Sequence, residues 1–450
     1  MRNLQLLLVL VLLSALLPGA LFSAQEKVSA IESFSGLIRA NNAGVKRFES
    51  ELKSAERELK AASKPSAVML EIEGERTFES GEEKKYETKN IEFSKTFGPN
   101  DPGSALKRKN SIELKIKREQ ALKAIDDIVY GSYAGLLNAL KLAYQKKLAA
   151  ENLKIAENII EAVTKKYEVA LGSKMEIEQA VLDYEVQFLK ALEIKGAFEN
   201  QKAALEIENG IVEPGALTSF LKLRRTVSLT GEIEMLLSSA SIAVEDVKKL
   251  YSDARAKRRD LKSALYEVEL VDAMAEMERR GGSPEYKLGF FRSVNDLKEA
   301  ERGVKLGISI PVYDFGRRRE TIDALRLKMA GYLTEFGVKR FFAEHIERSI
   351  LLDITEKYNS CMLNREKLER LGGVGLKKAS GLLGMATIGY TEGATTLFEY
   401  QNAKKSYFEF FEQLIAAAFD FNISLLELRK ACGVAPDENA DIMDRFINLK

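Results

Sequence analysis

The chain has 450 residues, of which 30% are charged, and its 68 lysines and arginines balance 67 acids to a net charge of +1. That balance excludes the basic excess with which nucleic-acid-binding domains attract phosphate. Local clusters such as Lys107–Arg118 and Arg317–Arg319 read as solvated helix faces. Proline is scarce (8) and tryptophan absent, a composition that long helices tolerate.

Residues 1–24 read as an export signal: Arg2, an apolar run broken at Pro18-Gly19, then small residues before a cut near Ala20 or Ala24. An uncleaved anchor is the competing reading. No cysteine stands at this boundary for lipid attachment. Cys361 and Cys432 lie too far apart along a helical hairpin to pair, so both are expected to be free and buried.

Next comes a helical segment, 27–63, closed by Pro65. Two runs of period two follow. In 67–78, Val68, Leu70, Ile72 and Phe78 alternate with Met69, Glu71, Glu73, Glu75 and Thr77; in 86–97, Ile91, Phe93 and Phe97 alternate with Glu92, Ser94 and Thr96. Such alternation predicts a hairpin of half-buried strands, 67–97, with its turn near Ser80–Lys85. From Asn110 the pattern is helical to Ala170, about 90 Å if continuous. Leu153, Ala156, Ile160, Val163 and Tyr167 have the spacing of a coiled-coil seam. A glycine-marked turn at 167–176 leads to a return helix that stops at Gly210 and Pro214, completing a first unit, 25–215.

After a connecting segment, 216–241, the same order recurs over 242–436. A helix spans 242–280 and ends at Pro284. A second strand hairpin, 285–313, alternates Tyr286, Leu288 and Phe290, then Val304, Leu306, Ile308 and Ile310, with polar or small residues. A helix from Glu320 to Gly389 measures about 105 Å if continuous. The alternative for either long helix is several shorter ones bent at Gly131, Gly135 or Gly372-Gly373. A second turn at 389–399 precedes a return helix ending at Gly433 and Pro436, and 437–450 forms a tail. An offset of 223 residues superposes the halves: Tyr167 falls on Tyr390, Glu176 on Glu399, Ala180 on Ala403, Tyr184 on Tyr407, Phe188 on Phe411 and Gly210 on Gly433. The chain reads as an internal duplication of one large unit, longer than any solenoid repeat. The turns themselves read as inequivalent, because Gly172 and Gly393, expected at the positive-φ positions, fall out of register by two.

The apolar strand faces need a cover. Packing on the chain's own helices is one reading. Lipid is the other, with Glu71, Glu73, Glu75 and Glu92 facing water. After residue 24 no window of about 18 uncharged apolar residues exists to form a spanning helix. Strands survive in lipid only as a closed barrel, and four cannot close, so the lipid reading requires several chains.

Four stretches, LGISIPVYDFGRRRETIDA (Leu306–Ala324), YTEGATTLFEYQNA (Tyr390–Ala403), LLELRKACG (Leu425–Gly433) and RRDLKSALYEVELVDAMAEM (Arg258–Met277), together with the duplicated order, resemble the TolC-like outer membrane efflux protein family. The resemblance implies a mostly α, α+β fold. Long helical hairpins would form an α-barrel, and four strands per chain a trimeric 12-stranded transmembrane β-barrel. It implies an outer membrane location extending into the periplasm, and a passive duct for a tripartite efflux pump or type I secretion system. The partners implied are a homotrimer, a periplasmic adaptor that gates the helical tips, an inner-membrane RND or ABC pump, and outer membrane lipid. Val68, Leu70, Ile72, Ile91, Phe93, Leu288, Phe290, Leu306, Ile308 and Ile310 would face that lipid. The tip residues would be Tyr167, Gly172, Ser173, Glu176, Tyr390, Gly393, Thr395, Glu399 and Asn402. Glu176 and Glu399 match an acid that rings the entrance in the family, with surface solvation as the plain alternative. Tyr390 matches a tyrosine that helps hold the entrance shut. Thr395 and Asn402 depart from a basic and an acidic position, so the latch differs here. For Tyr184 and Tyr407 a place in the coiled-coil core is favoured.

No nucleophile–base pair, phosphate loop or clustered metal ligands appear, and the lone His345 reads as a helix-face residue. Neither enzyme activity nor a cofactor is expected. The rival to a duct is an adaptor-like or scaffold coiled coil with no membrane barrel.

Overall fold

The computed structural model describes residues 30–62, 64, 68–78, 85–97, 105–212, 216–221, 237, 242, 244–280, 283–294, 300–310, 314–331, 340–439 and 442; side chains at 30–32, 62, 74–88, 219, 328–346 and 374 are outside the description. The expected export signal, much of 216–241, both strand-hairpin turns and most of the tail lie outside those residues. So does the His345 side chain.

In chain order the elements are α1 (Ala30–Asn41), α2 (Ala43–Ala62), β1 (Met69–Phe78), β2 (Lys85–Phe97), α3 (Ala105–Glu168), α4 (Lys174–Glu208), the short α5 (Thr218–Leu221), α6 (Val247–Lys257), α7 (Arg259–Arg280), β3 (Glu285–Val294), β4 (Ala300–Ser309), α8 (Arg317–Gly331), α9 (Arg340–Arg370), a π-helical turn (Leu371–Gly375), α10 (Leu376–Thr391) and α11 (Leu397–Ala431). A 3₁₀ turn, Pro436–Asn439, follows. α3 is one uninterrupted helix of 64 residues that passes through Gly131 and Gly135 without a break. The second long helix departs from uniform continuity. Its segment 332–339 lies outside the description, and at Gly372-Gly373 it widens into the π turn. Arg370, Gly375 and Leu376 all keep right-handed helical backbone there, so the helix is loosened, not broken. Leu237 seats on Gly372 and Phe410 on Gly375, so two neighbouring side chains fill the space at the turn.

The four strands make one antiparallel sheet in the order β1-β2-β3-β4. Its register pairs Leu70 with Phe93, Phe93 with Phe290 and Phe290 with Val304. The period-two apolar residues of all four strands therefore share one face. The strands are 10, 13, 10 and 10 residues long.

The main hydrophobic core lies where the first helices of both halves meet the long hairpins. It contains Phe34, Tyr133, Leu136, Leu137, Leu140, Phe411, Phe419 and Phe421, all fully or almost fully buried. Cys361 and Cys432 belong to it and are free thiols, as expected. Burial pushes the Cys432 thiol up to about 11, so it stays protonated and unreactive at neutral pH.

Each half has the same joint at this level. The first helix breaks once, at Asn42 and at Arg258, and the returning helix ends against the break on a left-handed glycine. Gly210 (φ 63°) and Gly433 (φ 71°) supply it. In the first half Asn42 Oδ1 accepts from the Gly44 and Val45 amides, and its Nδ2 donates to the Glu208 carbonyl at 2.9 Å. In the second half the Arg258 guanidinium does the joining: it donates to Asp260, to Asp353 at 2.8 Å and to the Ala431 carbonyl at 3.1 Å. A Cβ on Gly210 would lie 2.8 Å from the Asn41 carbonyl oxygen, and one on Gly433 3.0 Å from the Arg258 nitrogen. Gly210→Ala and Gly433→Ala therefore combine left-handed strain with a backbone clash. Each is expected to destabilise the protein by about 2 kcal/mol or more, read as a lowered thermal midpoint.

Candidate functional site

Two features concentrate the candidate residues: the hairpin tips and the exposed sheet face. At the tips the chain must reverse direction between antiparallel helices, which leaves helix-end carbonyls and amides to be satisfied. Both turns solve this identically. In the first, Leu171 N–H donates to the Lys166 carbonyl and Ala170 N–H to that of Tyr167; in the second, Ala394 N–H donates to Gly389 and Gly393 N–H to Tyr390. This is the Schellman arrangement, with one left-handed residue. That residue is Gly393 (φ 78°) in the second turn and Ala170 (φ 59°) in the first. The expectation that Gly172 would take positive φ is corrected: Ala170 does so. The offset of 223 holds through the turn, and the inequivalence lies in residue type, not backbone.

The next helix of each tip starts with a capping box. Ser173 Oγ accepts from Glu176 N–H and Glu176 carboxylate accepts from Ser173 N–H; Thr396 and Glu399 repeat the exchange. Both acids thus have a local structural task at a helix N-terminus, where negative charge is favoured. The Thr396 backbone amide holds the Glu399 carboxyl below the usual carboxylate range.

Between the tips the halves touch asymmetrically. Lys166 of the first turn donates to the Tyr390 carbonyl at 2.9 Å and lies 3.7 Å from the centre of the Tyr390 ring. Tyr390 is 8% exposed and stacks on Tyr400 at 5.4 Å. These rings, with Ile159, Val163, Ala180 and Leu397, form a small core confined to the tips. Burial raises the Tyr390 hydroxyl above its ordinary value. Position 389, the counterpart of Lys166, is a glycine tucked beneath Thr395. Tyr167, in contrast, is 47% exposed and lies outside the seam that its spacing predicted. Asn402 and Glu399 are exposed, and Gly172 is half-buried. Tyr184 and Tyr407 are half-buried, Tyr407 against Phe411 at 4.5 Å. Lys166, Ala170, Thr396 and Tyr400 were not singled out in the sequence. The unbroken offset would have found Ala170 and Thr396; nothing in the local pattern marks Lys166.

On the sheet, Val68, Leu70, Ile72, Ile91, Phe93, Leu288, Phe290, Leu306, Ile308 and Ile310 are all exposed, from 37% at Leu288 to 80% at Leu306. No described helix of the chain covers them. The opposite face is ionic. Glu92 is almost enclosed between Lys287 and Lys305, each 3.0 Å away, and Lys287 also reaches Glu71 at 3.5 Å. Among the described residues no helix is long and apolar enough to cross a membrane.

Two measurements check the tip geometry. Gly393→Ala is expected to destabilise by about 1 kcal/mol, whereas Ala170→Gly is neutral or stabilising by up to about 1 kcal/mol, read by thermal unfolding. Because the Glu399 carboxyl titrates lower when folded, its cap contributes above the ordinary carboxylate range and is lost as pH falls through the lowered value. Amide exchange at Thr396, referenced to a neighbouring shaft amide, should therefore accelerate at acid pH in the native protein. In Glu399→Ala, which removes the acceptor, it should be fast throughout.

No protein-family model and no curated protein matches this sequence. Solved structures do. The outer membrane protein VceC from Vibrio cholerae is similar with a TM-score of 0.67 at 15% identity, over 90% of this chain and 96% of that one. The Campylobacter jejuni CmeC outer membrane channel gives 0.69 at 13%, over 93% and 90%. The outer-membrane channel OprN gives 0.70 at 12%, over 90% of each chain. Almost the whole of this chain therefore has the fold of these outer membrane channels.

Proposed function

We propose that the chain is one of three identical protomers of an outer membrane exit duct, passive in itself, that extends into the periplasm. The observation that carries this reading is the sheet, which among the described residues has an exposed apolar face without cover, an ionic face opposite, and two unpaired edges. Exposed apolar surface of that extent is unstable in water. Its strand lengths match the roughly 9–11 residues needed to cross a bilayer. Four strands are too few to close a barrel, and an even number per chain lets β4 of one copy pair antiparallel with β1 of the next. Three copies give twelve strands with no open edge. The ten exposed apolar residues would then meet lipid, and Glu71, Glu73 and Glu92 would line water. The long hairpins would build the periplasmic tube, with Glu176, Glu399, Tyr390, Thr395 and Asn402 around its narrow end. A periplasmic adaptor would open that end, and an RND or ABC pump of the inner membrane would supply the energy. The fold of outer membrane channels over nine-tenths of the chain supports the same conclusion.

The test places charge on either face. Ile308→Lys is expected to cost about 2–4 kcal/mol in the membrane and to abolish detergent-stable trimers, while the adjacent Ser309→Lys assembles normally and conducts in planar bilayers. Equal assembly of both variants, or a wild-type chain that is a soluble monomer without detergent, would overturn the duct and favour a periplasmic scaffold.

A further inference from the structure

The apolar interior of the long hairpins is interrupted. The main core reaches down the shaft to Tyr144, Leu148 and Phe408, and the tip core begins at Ile159. Ile155 is the one described side chain packed against both. Between them lies a polar layer that crosses three helices. Asn152 Nδ2 on α3 donates to Gln187 Oε1 on α4 at 2.8 Å, and Gln187 Nε2 donates to Asp183 Oδ1 at 3.3 Å. Lys404 Nζ on α11 donates to Asp183 Oδ2 at 2.5 Å. Lys404 has a side chain only 1% exposed, and Asp183 is its ion-pair partner. Asn152 is itself buried, yet its Oδ1 accepts nothing, and Gln401 Nε2, one helical turn from Lys404, donates to nothing. A groove of about 500 Å³ opens beside these groups.

This cross-section is held by one ion pair and incompletely satisfied amides, where the levels above and below are held by apolar packing. Burying an ammonium group carries a large desolvation cost before its partner repays it, and an apolar pair in the same place is often more stable. Unsatisfied buried amides add to the cost. A polar layer inside a coiled coil fixes register at the expense of stability. Sub-global opening follows the weakest cross-section.

We propose that the Asn152–Gln187–Asp183–Lys404 layer is a parting plane. The tips beyond it, residues 153–180 and 383–403, open as one unit while the shaft above stays packed. Its consequence for transport rests on the duct reading, since the opening would then widen the tube's end; the plane itself does not.

Hydrogen exchange by mass spectrometry on the full-length protein in detergent tests this. Peptides from 153–180 and 383–403 are expected to exchange with one common rate, about tenfold or more faster than those from 136–150 and 408–428. In the double variant Asp183→Leu/Lys404→Leu the gap should shrink to about threefold or less, with the tips becoming protected. Tips and shaft exchanging alike in the wild type, or tip rates unchanged in the double variant, would overturn the plane. If the double variant does not fold, Lys404→Gln decides: accelerated tip exchange with an unchanged shaft supports the plane, and unchanged tips overturn it. Planar-bilayer conductance of the same samples separates the two readings. Protected tips in the double variant of a chain that never conducts would leave the plane standing and remove the duct.

Discussion

An antiparallel sheet whose apolar residues Leu70, Phe93, Phe290 and Val304 line up on one exposed face, with two unpaired edges, cannot be a finished structure in water. Every strand places its alternating apolar series on the same side, because the register runs from Leu70 through Phe93 and Phe290 to Val304. The helices do not come to cover that side, since they are committed elsewhere. The first helices and the long hairpins bury their apolar stripes against each other around Tyr133, Leu137 and Phe411. Among the described residues nothing covers that face or pairs with either edge of the sheet.

The two halves meet equal geometric demands with different chemistry. The break in the first helix is joined to the end of the return helix by amide hydrogen bonds around Asn42 in one half, and by the Arg258 ion network in the other. Burial alone would raise the Asp260 carboxyl, but its bonds from Arg258 win and hold it below the ordinary range. The same contrast recurs at the tips, where a lysine of one half grips a tyrosine of the other and the counterpart position is a glycine. Backbone geometry and the capping boxes of the tips are duplicated, whereas the side-chain contacts at the joints and between the tips differ from half to half.

Much of the architecture was legible in the sequence because it rests on short-range periodicity. Period-two alternation placed all four strands to within a few residues, and glycines marked the ends of both return helices. The tip turns were harder. Glycine is the usual sequence sign of left-handed backbone, yet an alanine at 170 occupies that conformation, held there by the same two hydrogen bonds that hold Gly393. Glu176 and Glu399 were visible as paired acids, but their capping role became clear only with Ser173 and Thr396 in place. Lys166 and Lys404 were invisible for a different reason. In a chain with 68 basic residues, nothing local separates a lysine that points to water from one buried between helices. Tertiary contact alone distinguishes them.

The π turn at Leu371–Gly375 also carries a matter of phase. Above it, Ile354, Cys361 and Leu368 are fully buried at steps of seven. Below it, Leu383 and Tyr390 pack into the tip core, again seven apart. From Leu368 to Leu383 the step is fifteen, one more than two heptads. An uninterrupted α-helix would carry that extra residue forward as a rotation of about 100° and turn the lower seam away from α11. The widened turn absorbs it, because a π turn holds about one residue more than an α turn. It works as a splice: two coiled-coil segments that are out of step in sequence share one continuous seam in space, and Leu382, Met385 and Ile388 are left on the outer surface.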